Sequence, residues 1–185
     1  MRKRLISAVI CILCLLGGPG KSLADKKAER AIQERFTATD ANRGDSLTVA
    51  IQGFSTDEEM QSLAQIFAQQ GEGALQKALG KVKKGFLVWG NEATAPLVIV
   101  QSQAEGSVRR LQIVGKAPTV TGEGEILTAH PDYPYTFIQL EVDEKGNGKG
   151  MLIPFGKLLF NDQGRMVLKP MSQGAVQLVH VHHGM

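Results

Sequence analysis

Three of the four histidines crowd the C-terminus, in His180-Val181-His182-His183. In an extended strand successive side chains alternate, so His180 and His182 project from one face and His183 from the other. Two imidazoles at that spacing can share one Zn²⁺ or Cu²⁺, ions that imidazole nitrogen suits. His130, the remaining histidine, supplies a third ligand if the fold brings it close. The metal reading therefore rests on His180, His182 and His130; apart from zinc or copper there, the chain calls for no cofactor. Against it, His180 and His182 continue the face of Val176 and Leu178, and read equally as the rim of a terminal strand that frays.

Other constellations are weaker. Asp143-Glu144-Lys145-Gly146-Asn147-Gly148 has the flavour of a calcium loop, but Lys145 stands where such a loop needs an oxygen ligand. A glycine-rich hairpin connection explains it better. Gly122-Glu123-Gly124-Glu125 brings carboxylates together, yet a loop with two glycines cannot hold them at the fixed separation that acid–base catalysis needs. No nucleophile elbow, phosphate loop, HExxH or dinucleotide fingerprint occurs, so no catalytic residue is assigned. Trp89, Phe86, Tyr133, Tyr135, Phe137 and Phe155 either line an apolar pocket in a barrel mouth or fill the core, and core is the commoner fate.

The elements that would carry these residues are mostly strands. Residues 34–41 begin the first strand-like run, and Asn42-Arg43-Gly44-Asp45 reads as a turn. From Ser46 to Phe54, Leu47, Val49 and Ile51 alternate with polar or small residues, the pattern of a half-buried strand. Thr56 with Glu59 forms a capping box, and Ser55 with Glu58 fits nearly as well. Met60, Leu63, Ala64 and Phe67 then make one helical stripe ending at Gly71; Leu75, Ala78, Leu79 and Val82 make a second. Beyond Lys84 everything reads as strand: 86–89, a doubly buried apolar run at 97–100, 108–114, 135–143, 151–155 and 157–160 (two short strands or one broken at Pro154-Phe155-Gly156), 165–169 and 176–183. Residues 118–124 read as loop, Gly146, Gly148 and Gly150 as a flexible connection, and Asn161-Asp162-Gln163-Gly164 as a hairpin turn. Connections this short make antiparallel sheet. The expected fold is α+β and mostly antiparallel β: a β-sandwich or partly open barrel with one inserted helical hairpin at about 56–82.

Residues 1–24 read as a signal peptide: Arg2, Lys3 and Arg4, an apolar run from Leu5 to Leu16, then Ser22-Leu23-Ala24 at a cleavage site. The run is too short to span a bilayer, which needs about 20 residues. That leaves residues 25–185 as a single β-rich domain, periplasmic or secreted, with no membrane span after cleavage. Both cysteines, Cys11 and Cys14, lie in the leader. The mature chain thus has no thiolate chemistry and no disulfide. The leader also holds four of the 21 basic residues and no acid, leaving 17 against 18 acidic residues, about −1. Near-neutral charge and no basic stripe argue against a nucleic-acid partner.

Glu34-Arg35-Phe36-Thr37-Ala38-Thr39, Ser55-Thr56-Asp57-Glu58-Glu59 and Tyr133-Pro134-Tyr135-Thr136 together give a further indication. With them, the chain resembles a family of uncharacterised exported bacterial proteins of similar length. The resemblance covers most of the mature chain, implies export and a single domain, and implies no activity. The histidine-rich end is not part of that pattern.

The functional expectation is an exported non-enzymatic binding or structural module, its partner a small apolar ligand or an envelope protein. The alternatives are an exported metal-binding protein using the C-terminal histidines and a hydrolase acting on envelope or extracellular polymers. A carboxylate close to a histidine in a concave site would favour the hydrolase. If the leader is processed as read, the exported protein begins at Asp25; intact-mass measurement checks this, and a lipidated form retaining Cys14 would contradict it.

Overall fold

Alternation along the strands forces the sheet to have one apolar face, and that face is hidden by closure. The computed structural model describes residues 31–90, 93–117, 120–122, 125–127, 131–171 and 174–184. These belong to one unit, Ala31–Met185. The expected leader, residues 1–24, lies outside the described residues, as do His130 and Glu123.

In chain order the elements are β1 (Glu34–Asp40), β2 (Ser46–Ile51), α1 (Asp57–Gln70), α2 (Glu72–Leu79), β3 (Gly85–Trp89), β4 (Ala93–Glu105), β5 (Val108–Lys116), β6 (Val120–Gly122), β7 (Glu125–Leu127), β8 (Tyr135–Asp143), β9 (Asn147–Phe160), β10 (Met166–Pro170) and β11 (Val176–Gly184). Each of β1, β2, β3, β4, β5, β8, β9 and β11 pairs antiparallel with the next, and β11 pairs with β1. The result is a closed eight-stranded meander. Mostly antiparallel β with a helical hairpin holds as expected. The sheet is a closed barrel, however, neither a sandwich nor open, because β1 takes up the edge that β11 would otherwise expose.

Two apolar layers result. Inward-facing Phe36, Val49, Leu87, Leu111, Leu140 and Leu178 belong to one buried cluster fed by strands all round the barrel. A second cluster lies outside the wall, where Met60, Leu75 and Leu79 cover Val98, Val114 and Phe137. The run at 97–100 is thus buried on both faces, as its continuous apolar character predicts.

The hairpin is pinned at its start. Thr56 Oγ1 accepts from the Glu59 N–H at 3.2 Å and the Glu59 carboxylate accepts from the Thr56 N–H at 3.0 Å, so Thr56 rather than Ser55 is the cap. Glu59 also takes both bonds from the Lys84 ammonium, at 2.7 and 2.8 Å, while Lys84 gives a third to the Phe54 carbonyl. Lys84 is nearly buried there, so its charge needs these partners.

Two local readings are corrected. Residues 118–124 include a strand, β6, paired with β7. Gly148 and Gly150 lie within β9 rather than in a connection. A Cβ on Gly148 would run into the Glu141 carbonyl oxygen, and one on Gly150 would sit 2.6 Å from that of Gln139, so close approach of β8 is what calls for glycine. Of the two forms expected for 151–155 and 157–160, the single broken strand is found, irregular where Pro154 and Phe155 face the single residue Thr136 of β8; the Thr136 hydroxyl donates to the Pro154 carbonyl at 2.7 Å and ties the irregularity down.

Among the described residues, strand β10 pairs only with the far half of β9, and no described strand lies on its other edge.

Leu79 is fully buried under the hairpin. Leu79→Ala should cost about 2–5 kcal/mol in urea denaturation, as truncating a core leucine does; a loss below about 1 kcal/mol would place the hairpin off the wall. Tyr135, in the same cluster, has its phenol pushed up to about 12 by burial and then by the Glu72 carboxylate. The unfolded phenol ionises near 10. The associated stability is therefore full below pH 10 and is lost as pH rises toward 12. Absorbance titration of the two tyrosines should show one ionising about two units late.

Candidate functional site

Arg109 stands on the inward-facing parity of β5, two residues before Leu111, and Glu34 on that of β1, two before Phe36. Both come from strand ends at the same mouth of the barrel, so two charged groups meet above an apolar floor. They form a bidentate pair: Arg109 Nη1 to Glu34 Oε2 at 2.8 Å and Nη2 to Oε1 at 3.1 Å. Arg109 Nε donates to Ser102 Oγ at 2.6 Å. Its guanidinium carbon lies 5.5 Å from the centre of the Phe54 ring, a cation–π arrangement. The fork geometry fixes the guanidinium plane, and with it the carboxylate.

His183 completes the group. Its ring stacks on Phe36 at 4.7 Å between centroids, with 21° between planes, and its Nε2 lies 3.5 Å from Glu34 Oε2. Its backbone N–H donates to the Gly146 carbonyl at 2.8 Å, which anchors the end of β11 to the β8–β9 turn. Beside these side chains opens a depression of about 290 Å³. Phe36 and Val142 form its apolar part, and the turns at 106–107 and 143–146 its walls.

The placement of the histidines departs from the sequence reading. Strict alternation puts His180 and His182 with Leu178 and sets His183 opposite. A bulge intervenes: Leu178 and Val181 both face inward although three residues apart, with His180 at φ 51° between them. The extra residue resets the parity. His183 therefore turns into the mouth, while His182 lies exposed, its Nδ1 3.3 Å from Asn147 Oδ1. His180 is exposed on the bulge. Among the described residues no three His, Cys, Asp or Glu side chains gather in a way that could hold a metal ion; His130 lies outside them.

Other expected features resolve into structure. Asp143 Oδ1 accepts from the backbone N–H of Lys145 and of Asn147, both at 2.9 Å, which makes the calcium-like stretch a capped hairpin turn. The aromatic residues do not gather. Trp89 belongs to the barrel interior, Tyr135 and Phe137 lie beneath the helices, and Tyr133 sits near Lys157. Sequence reasoning passed over Glu34 and Arg109 as site residues. The available signal was parity, since each charge falls on the apolar face of its strand.

No family model matches the chain, and neither a curated protein nor a solved structure shows significant similarity to it. Function must therefore be argued from the geometry.

Proposed function

We propose that the protein is a non-enzymatic binding module of the periplasm or extracellular space, and that it binds at the barrel mouth. The export reading rests on the leader pattern and on the resemblance to exported proteins. One observation carries the binding reading. The barrel interior is occupied by side chains, whereas the mouth offers an open depression with an apolar floor and a fixed polar rim. Such a site suits a small amphiphilic ligand: an apolar portion over Phe36 and Val142, a polar group toward His183 and Arg109. The rim groups are already held by one another, so little ordering is needed on binding.

A hydrolase is the second reading, favoured by the approach of Glu34 to His183 within a concave site. The arrangement is that of a carboxylate orienting an imidazole. It lacks the next member, because among the described residues no serine or threonine hydroxyl is hydrogen-bonded to His183. Arg109 also engages both Glu34 oxygens.

Anilinonaphthalene sulfonate, an apolar dye with one anionic group, tests the proposal. The mature protein should bind it saturably, with enhanced fluorescence. Val108 is exposed beside the depression, and Val108→Glu should weaken binding at least about tenfold, roughly 1.4 kcal/mol, without shifting the melting temperature. Equal binding by that variant would reject the mouth as the site. Hydrolysis of p-nitrophenyl esters that vanishes in His183→Ala would favour the second reading instead.

A further inference from the structure

The outer wall of the barrel carries one row of like side chains that neither the core nor the mouth uses. Gln101 of β4 is paired with Gln112 of β5, Gln112 with Gln139 of β8, Gln139 with Met151 of β9, and Met151 with Gln177 of β11. All five face outward, since their neighbours Val100, Leu111, Ile138, Leu152 and Leu178 face the interior. All are at least partly exposed. The row crosses five adjacent strands at one level, with neighbours about 4.8 Å apart.

The rows on either side differ in kind. One is apolar (Ile99, Val114, Phe137, Ile153) and is largely covered by the helical hairpin. The other is charged and self-satisfied: Arg110 pairs with Glu105 at 2.8 Å and with Glu141 at 3.1 Å, and Lys149 lies 3.7 Å from Glu141. The glutamine row is thus uncharged, and its side-chain amides make no hydrogen bond to a described residue. Two depressions flank its middle, of about 100 and 210 Å³, and both are lined by Gln139 and Met151.

We infer that this row is a binding track for an extended, neutral oligosaccharide, a site separate from the mouth. Each glutamine offers two donors and an acceptor with no net charge, the complement of a hydroxyl-bearing chain. An ionic polymer would find no unpaired charge to meet along the track. Met151, fourth in the row, supplies a pliable apolar contact for a ring face. A row that follows the curve of the wall for about 19 Å, four strand intervals, fits a chain better than a compact ligand.

Calorimetry of the mature protein with β-1,4-linked N-acetylglucosamine oligomers tests this. The hexasaccharide should bind, and the disaccharide at least about tenfold more weakly, because it spans only part of the row. Gln112→Ala combined with Gln139→Ala should weaken hexasaccharide binding by about tenfold, with melting unchanged because both side chains lie on the outer surface. Absence of hexasaccharide binding at millimolar concentration overturns the inference. So does equal affinity in the double variant. Binding that survives the double substitution but is lost in Val108→Glu would place the sugar at the mouth, overturning the track while leaving the proposed function standing.

Discussion

Pairing of β1 with β11 is the constraint from which the rest follows. An open sheet of this length would leave two edges and an apolar face in water. Joining first strand to last removes both costs at once, and it decides what every strand must carry. Each inward position must be filled from within, and apolar side chains from all eight strands fill the interior. The same pairing brings Glu34 at the start of the sheet beside His183 at its end, and Glu34 also takes Arg109, 75 residues along the chain. The mouth is assembled by closure.

With the interior packed, the barrel has only its ends and its outer wall to offer a partner. Part of the wall is taken by the helical hairpin, held through Lys84, whose ammonium reaches Glu59 and the Phe54 carbonyl. One carboxylate there both caps the helix and neutralises a nearly buried cation, so the hairpin's start and its attachment are the same interaction. The mouth and the uncovered wall remain, and they differ in character: one mixes charge with an apolar floor, the other is a neutral amide row between an apolar and a charged band.

Period-2 alternation made most strands legible, because an inside and an outside had to exist whatever the topology. In β2 and β8 the inward residues Leu47, Val49, Ile138 and Leu140 were readable from spacing alone. The helical hairpin was readable because its cap and its apolar stripe are both local. What could not be read depended on a neighbouring strand. Gly148 and Gly150 resemble a flexible link until the backbone of β8 is known to lie against them. The bulge at His180 is a mismatch of register between β11 and its two neighbours, invisible in either strand by itself. Simple alternation through it puts His180 and His182 on the inner face in place of His183. The Glu34–Arg109 pair joins residues far apart in the chain, and only their polarity on otherwise apolar faces hinted at a partner.

The side of β10 that no described strand covers has a bearing on how crowded molecules of this protein behave. Along this strand the backbone groups of Val167 and Lys169 belong to the ladder with β9, judging from the adjoining bonds Asn161 to Arg165 and Met171 to Phe155. Those of Met166 and Leu168 therefore point away, with Val167 and Leu168 partly bared to water. Left long, such an edge would template intermolecular sheet and lead to aggregation. Here it is five residues long and ends in Lys169 and Pro170, a charge followed by a residue with no N–H to donate. A second molecule docking on it would find two donors and then a stop, too short a ladder to propagate a fibril.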